Sequence, residues 1–90
     1  MPLRVKLPGE VLDFSFDWTD SYLQSGETID TSAVAVEPTG ELTIDSDSEA
    51  SGIATVWLSA GTRGNRYLVK NTIATNQGRT DVQELEIMVI

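Results

Sequence analysis

The stretch that decides the fold class reads Ile53-Ala-Thr-Val-Trp-Leu-Ser-Ala60, then Gly61-Thr-Arg-Gly64, then Asn65-Arg-Tyr-Leu-Val-Lys-Asn-Thr-Ile-Ala-Thr75. Both long runs are rich in β-branched and aromatic residues, and the short segment between them carries two glycines. Runs of this kind, bounded by glycine and polar residues, are typical of antiparallel strands joined by tight turns. The sequence therefore predicts two strands with a hairpin turn at residues 61–64, followed by a polar turn at residues 76–81 and a last strand that ends at Ile90.

Alternation within these three strands predicts which side chains enter the core. Trp57 lies on the face opposite the apolar one, together with Ile53 and Thr55. Val82 is out of phase with Leu85, so we expect a bulge or a late start in the last strand. The predicted core residues are Ala54, Val56, Leu58, Ala60, Tyr67, Val69, Asn71, Ile73, Leu85, Ile87 and Val89. As a polar member of this set, Asn71 needs a hydrogen-bond partner, and we expect it to pin a backbone turn.

The first half of the chain contains three further strand patterns before residue 37. Residues 12–18 alternate strictly and place Leu12, Phe14, Phe16 and Trp18 on one face. Ahead of them, Val5 and Leu7 alternate with basic residues until Pro8-Gly9, which predicts a short edge strand. Ala33-Val-Ala-Val36 closes a strand over residues 28–36, and four consecutive apolar residues are typical of a strand covered on both sides.

The remaining segments are expected to be a short strand and two loops. Leu42 and Ile44 alternate with polar residues and are expected to point inward, whereas residues 46–52 predict a polar turn. Residues 19–27 predict a loop whose two apolar side chains, Tyr22 and Leu23, plug one end of the core. Seven short strands with turns every eight to twelve residues predict an all-β fold, an antiparallel immunoglobulin-like β-sandwich of about seven strands. We expect residues 1–90 to form a single β-sandwich domain.

Composition excludes several classes of function. The chain has no cysteine and no histidine, so it lacks disulfides, thiolate metal ligands and the commonest general base. Fourteen acidic residues against six basic ones give a net charge of −8, which repels nucleic acid and anionic membranes. No segment is apolar enough for a signal peptide or a membrane span, so we expect the protein to fold in the compartment where it is made.

No motif indicates a catalytic, cofactor or metal site. Asp45-Ser-Asp-Ser-Glu49 spaces three carboxylates as a calcium loop begins, but Ala50 stands where an EF-hand needs glycine, and Val56 where it needs an acid. A solvated turn is the better interpretation. Gly61-Thr-Arg-Gly64 lacks the lysine and helix of a phosphate cradle. We therefore predict no catalytic residue, no cofactor and no bound metal.

Three residues are candidates for contact with a partner protein: Trp57, Met88 and Ile90. Trp57 either anchors an interface or covers a neighbouring strand. The last residues, Ile87-Met-Val-Ile90, alternate too little for a strand with one wet face, so Met88 and Ile90 are expected to touch a partner. Asp17 and Asp20 flank Trp18, which leaves a sugar-binding interpretation beside the simpler one of a core tryptophan with solvated acids.

Six segments in order resemble a family of small tailed-bacteriophage and prophage proteins, the phage fibre-tail adaptors. They are Pro8-Gly-Glu-Val-Leu-Asp-Phe-Ser-Phe-Asp-Trp18, Gly26-Glu-Thr-Ile-Asp-Thr-Ser32, Trp57-Leu-Ser-Ala-Gly61, Gly64 with Tyr67, Asn71-Thr-Ile-Ala-Thr75 and Gly78-Arg-Thr-Asp81. The resemblance implies a non-enzymatic virion protein of immunoglobulin-like fold that links tail or fibre components. The chain departs from the family pattern at Ala33-Val-Ala-Val36, where a tryptophan-containing strand is expected.

The resemblance also implies partners and a location. The expected partners are other virion proteins of the tail or fibre. A homo-oligomer of this chain is a further possibility that the resemblance allows. The expected location is the virion, after folding in the cytoplasm of the bacterial host. Two alternatives stay open: a small carbohydrate- or receptor-binding β-sandwich module with a tryptophan as its platform, and a decoration protein of the head or tail.

Overall fold

Seven β-strands in two sheets make up the computed structural model, which describes residues 3–19 and 22–90. The strands are β1 (Leu3–Lys6), β2 (Leu12–Asp17), β3 (Ile29–Glu37), β4 (Leu42–Ala50), β5 (Ile53–Ala60), β6 (Arg66–Thr75) and β7 (Thr80–Val89). One sheet has the strand order β1-β7-β6-β3 and the other has the order β2-β5-β4. The prediction of an all-β sandwich of about seven strands is confirmed. Within the described residues, no helix is long and apolar enough to cross a membrane.

Six of the seven strands follow the strand order of an immunoglobulin constant-type domain. The orders β2-β5-β4 and β3-β6-β7 are those of strands B-E-D and C-F-G in an immunoglobulin constant-type domain. The first strand lies at the far edge, where β1 pairs with β7 in parallel. The prediction of an antiparallel sandwich is therefore wrong for this one pair, because residues 7–11 carry the chain across from the four-stranded sheet to the three-stranded sheet.

The core lies between the two sheets and uses the faces that alternation predicts. The buried apolar residues are Phe16, Trp18, Val36, Leu42, Ala54, Val56, Leu58, Tyr67, Val69, Ile73, Leu85, Ile87 and Val89. Tyr22 and Leu23 pack against this core from their loop, as expected. Ala60 is the exception, because it is exposed and its backbone adopts a φ of +65° where the chain leaves β5.

Residues 61–65 connect the two sheets, so the predicted hairpin at residues 61–64 is wrong. β5 pairs with β2 and β4, whereas β6 pairs with β3 and β7. Gly61 has a φ of +98°, and a β-carbon there would lie 2.8 Å from Cγ2 of Val89. Tyr67 braces the crossing, since its hydroxyl oxygen accepts a hydrogen bond from the Thr62 backbone N–H at 2.8 Å. This is the arrangement of a tyrosine corner.

Two expectations for the middle of the chain are also corrected. β4 continues to Ala50, so residues 46–50 form a strand instead of a turn, with a register shift between Ile44 and Ser46. The polar residues there occupy an edge strand that keeps its backbone pairing to β5. β3 is also an edge strand, in which Ala33 and Ala35 are exposed, so it is covered on one face only.

The last strand has neither the bulge nor the late start expected near Val82. β7 starts at Thr80 and pairs with β6 in continuous register as far as Met88. Val82 points outward and is exposed. The phase change in the sequence therefore reflects an apolar residue on the outer face, not an irregularity of the backbone.

Candidate interaction surfaces

Trp57 lies at the centre of the outer face of the three-stranded sheet. It is 43% exposed, and its register partners are Asp13 on β2 and Ser46 on β4. Ile53 and Thr55 extend the same face along β5, and Ile53 is also exposed. We call these five residues, Asp13, Ser46, Ile53, Thr55 and Trp57, the Trp57 surface. The prediction that Trp57 faces away from the core is confirmed.

The sheet that carries the Trp57 surface is acidic throughout. Its three strands contain five carboxylates, Asp13, Asp17, Asp45, Asp47 and Glu49, and no lysine or arginine. Hydrogen bonds from Thr19 hold the pKa of Asp17 below its usual value, and Asp45 accepts a hydrogen bond from the Ser59 hydroxyl at 2.9 Å. Register places Asp13 and Asp17 on the outer face with Trp57, whereas Asp47 and Glu49 are partners of the core-facing Val56 and Ala54. The outer face therefore carries negative charge from β2.

A second, apolar surface lies at the opposite side of the molecule, along β1. Val5 is the register partner of Met88 and is 51% exposed, and Leu3 and Leu7 continue the exposed row. Ile90 joins it, because its backbone N–H donates to the carbonyl of Lys6 at 2.9 Å and its side chain is 48% exposed. We call Leu3, Val5, Leu7, Met88 and Ile90 the β1 surface. The sequence indicated Met88 and Ile90, but the alternation at residues 3, 5 and 7 was the signal for the rest.

Lys6 fixes β1 in place and explains why the apolar residues of this strand face solvent. The Lys6 residue is buried, and its Nζ donates hydrogen bonds to the carbonyl oxygens of Ala60 at 2.7 Å and Leu7 at 2.9 Å. Burial lowers the pKa of Lys6, while the charges of Glu10 and Asp45 act in the opposite direction. Because successive side chains of a strand point to opposite faces, turning Lys6 inward turns Val5 and Leu7 outward.

The outer face of the four-stranded sheet differs in charge from that of the three-stranded sheet. Arg66 pairs with Glu86 at 3.3 Å, and Lys70 pairs with Glu37 at 3.1 Å. Charges of both signs therefore compensate each other beside the β1 surface. The acidic Trp57 surface and the apolar β1 surface lie on different sheets, with the core between them.

Trp18 belongs to the core and Asp17 is exposed, as the simpler interpretation predicts, whereas Asp20 lies outside the described residues. Trp18 is only 2% exposed, and its indole N–H donates to Oδ1 of Asn71 at 2.8 Å. Asn71 in turn donates from Nδ2 to the Ser32 hydroxyl at 2.8 Å and to the Ala33 carbonyl at 3.1 Å. The expected partner of Asn71 is therefore present, but Asn71 pins strand β3, not a turn.

An ion pair between the buried Glu27 and the partly exposed Arg79, which the sequence did not indicate, holds the loop before β3. Arg79 donates from Nε to Glu27 Oε2 at 2.9 Å, and its guanidinium carbon lies 4.3 Å from the centre of the Tyr22 ring. The Thr75 hydroxyl donates to the same Glu27 oxygen at 2.6 Å. These hydrogen bonds, chiefly those from Arg79, lower the pKa of Glu27 to about 2. The partners are about fifty residues apart in sequence, so no local pattern could have revealed them.

The acidic stretch at residues 45–49 lies in β4 and has strand geometry, not that of a loop. Asp47 and Glu49 share one face of β4, because their register partners are Val56 and Ala54, whereas Asp45 lies at the register shift and accepts a hydrogen bond from Ser59. In the part of the chain that the structure describes, no three acidic, histidine or cysteine side chains converge on a common point.

Comparison with known protein families gives one match that covers most of the chain. The model of the family described as podophage GP4 fiber-tail adaptor protein gp77 matches residues 6–88. The matched range includes the five residues of the Trp57 surface and Met88, and it ends before Ile90. A comparison with curated proteins finds no match.

Proposed function

Because this chain belongs to the podophage fibre-tail adaptor family, we propose that it links a fibre component to a neighbouring tail component of the virion by binding both at once. The family is one of structural phage proteins, and the proposed role needs no catalytic step. We further propose that the protein folds in the cytoplasm of the bacterial host and joins the particle during assembly. Trp57, Met88 and Ile90 are the proposed contact residues.

The observation that carries this proposal is the presence of two unlike exposed surfaces on opposite sheets. An adaptor must hold two neighbours simultaneously, which requires two surfaces that do not overlap. The Trp57 surface is acidic with a tryptophan at its centre, and the β1 surface is apolar and lies on a sheet edge. Exposed aromatic side chains commonly anchor interfaces, and an edge strand offers unpaired backbone groups to a neighbour.

Quantitative mass spectrometry of purified particles tests the proposal directly. A phage that lacks the gene is complemented with the wild-type protein, with Trp57→Ala or with Val5→Asp, and the amounts of this protein and of the fibre protein are measured relative to the major capsid protein. Ser25→Ala, at an exposed position that belongs to neither surface, is the control.

We expect the wild-type protein at a fixed ratio to the capsid protein. Of the two surface variants, one is expected to lose the adaptor together with the fibre, and the other to keep the adaptor and lose the fibre only. Absence of the wild-type protein from intact particles would overturn the proposal, as would normal fibre content in both surface variants.

A specific observation favours one alternative function, which is carbohydrate binding. The exposed indole of Trp57 beside the carboxylate of Asp13 is a combination that also suits a carbohydrate. Trp57 lies on an open sheet face and lines neither of two surface cavities, which have volumes of about 430 and 260 Å³. A carbohydrate-binding role predicts that host-surface glycans change the Trp57 fluorescence, whereas the adaptor role predicts no such change.

A further inference from the structure

We propose that the Trp57 surface binds an arginine or lysine side chain of a neighbouring virion protein, with the cationic group over the Trp57 indole and hydrogen-bonded to Asp13. This inference rests on the proposed adaptor function and names the chemistry of one of its two contacts. Three observations support it: the pairing of an exposed indole with a carboxylate, the lack of lysine and arginine in the three strands of the sheet, and a similar arrangement elsewhere in the same molecule.

Register places the indole and the carboxylate side by side. Asp13 on β2 lies directly opposite Trp57 on β5, and side chains so paired have β-carbons about 5 Å apart on the same face. A guanidinium or ammonium group can then contact the ring face and the carboxylate at once. Cation–π contact with tryptophan is stronger than with the other aromatic side chains, and the hydrogen bond to a carboxylate adds direction.

No carboxylate of this sheet takes part in an ion pair among the described residues. The ion pairs among the described residues involve Glu27, Glu37, Glu84 and Glu86, all of which lie outside β2, β4 and β5. Register places Asp13 and Asp17 on the same face as Trp57, and the three strands contain no lysine or arginine, so this face carries net negative charge beside an apolar centre. Charge complementarity therefore favours a cationic partner over an apolar or acidic one.

The protein already uses this recognition chemistry internally. The guanidinium carbon of Arg79 lies 4.3 Å from the centre of the Tyr22 ring while its nitrogens donate to Glu27. An aromatic ring and a carboxylate together thus hold a guanidinium in this fold. The Trp57 surface offers the same two groups, with the ring exposed.

A second copy of this chain is a poor occupant for the Trp57 surface. Each copy carries a net charge of −8, so two copies repel each other. Most basic side chains of the copy are also engaged: Lys6 is buried, Arg79 is bound to Glu27, and Arg66 and Lys70 form ion pairs. The occupant with the right chemistry is therefore a basic segment of a different virion protein.

Nuclear magnetic resonance of the full-length protein tests the inference, because its two tryptophans give separate indole N–H signals. Trp18 donates its indole N–H inside the core and serves as an internal reference, whereas Trp57 is exposed. The probe is a nine-residue peptide in which arginine and glycine alternate, and the reference peptide replaces arginine with glutamine. We expect the arginine peptide to shift the Trp57 indole signal and the Asp13 amide signal, to leave Trp18 unmoved, and to bind more weakly as salt is added.

Three variants separate local recognition from general attraction between opposite charges. Asp13→Asn and Asp30→Asn each remove one negative charge, but Asp30 lies on β3 of the other sheet. We expect Trp57→Leu and Asp13→Asn each to weaken peptide binding about fivefold. Asp30→Asn is expected to leave it within a factor of about two. Equal losses for Asp13→Asn and Asp30→Asn would overturn the inference, as would an unmoved Trp57 signal at millimolar peptide and low salt.

Particle composition distinguishes failure of this inference from failure of the adaptor function. If Asp13→Asn and Trp57→Leu particles carry normal amounts of adaptor and fibre, the cationic contact is wrong and the adaptor function stands. If the wild-type protein is absent from particles, the adaptor function itself is wrong. A shift of the Trp57 signal by host glycans and not by the arginine peptide would replace the cationic partner with a carbohydrate.

Discussion

Trp18 and Asn71 join the two sheets through a hydrogen bond of 2.8 Å between the indole N–H and Oδ1, and both residues are buried. Trp18 directly follows β2, and Asn71 lies in β6. The topologically equivalent strands of antibody domains, B and F, are linked by a disulfide. In this cysteine-free chain, a hydrogen bond connects the same two strands, and Asn71 extends the link to β3 through Ser32 and Ala33.

Removal of the Asn71 side-chain amide is expected to destabilise the fold. Asn71→Leu leaves the indole N–H of Trp18 buried without an acceptor, which costs about 1–3 kcal/mol. Urea denaturation of Asn71→Leu, Trp18→Phe and the double variant measures the coupling between the two side chains. We expect the double variant to lose less than the sum of the single losses. Additive losses would show that the hydrogen bond carries no coupling.

The Glu27–Arg79 ion pair predicts a specific loss of stability in acid. The pKa of Glu27 is lowered from 4.5 to about 2, so its contribution is complete above about pH 4.5 and is lost as the pH falls toward 2. The urea midpoint of the wild-type protein should therefore fall across this range, and that of Glu27→Gln should fall less. Glu86→Gln, in an exposed pair with Arg66, is the control and should behave as the wild type.

Ala60 predicts a stabilising substitution. Its φ of +65° lies in the left-handed region, which costs a residue with a β-carbon more than it costs glycine. Ala60→Gly should raise the free energy of unfolding by about 1 kcal/mol. Ala35→Gly, in the regular part of β3, should lower it by about 0.5–1 kcal/mol. A loss of stability in both variants would contradict the strain at Ala60.

Replacement of Lys6 is expected to loosen β1. The Lys6 ammonium bonds the Ala60 carbonyl across the two sheets, so Lys6→Met removes this tether. Hydrogen exchange should become faster for the backbone amides of β1 and stay unchanged for those at the centre of β6. If Lys6→Met leaves hydrogen exchange in β1 unchanged from the wild type, pairing with β7 alone holds β1.

The lowered pKa of Lys6 also predicts a trend in alkali. A lysine whose folded-state pKa lies below 10.5 makes the protein more stable as the pH rises from that pKa toward 10.5, because the unfolded chain binds the proton more tightly. Lys6→Met should remove this rise. If Lys6→Met still becomes more stable over this pH range, another ionisable group causes the rise.

Sequence periodicity was sufficient for the strands with one buried face. β2, β5 and β6 alternate between apolar and polar residues, so the faces of Phe16, Val56 and Val69 could be predicted from the sequence. The crossing at residues 61–65 could not, because glycine permits the same local turn whether the next strand joins the same sheet or the other one. The strand at residues 46–50 was missed because an exposed edge strand has no apolar alternation to reveal it.

The candidate surfaces were predicted less completely than the fold. Trp57 was found because it breaks the apolar pattern of its own strand. The β1 surface was found only at Met88 and Ile90, because its other half depends on the burial of Lys6. That burial depends on the carbonyl of Ala60, fifty-four positions away in sequence. Contacts between residues so far apart produce no periodic pattern in the sequence.

The unequal charge of the two sheets gives the molecule a preferred orientation during diffusion. The strands of the four-stranded sheet contain four basic and five acidic residues, whereas those of the three-stranded sheet contain five acidic residues and no basic one, so the strands give the molecule an electric dipole whose negative end is the three-stranded sheet. In the field of a basic particle surface, the dipole turns this side forward before any contact is made, over a range of about 8 Å at physiological salt. Added salt should therefore slow docking far more than it hastens release.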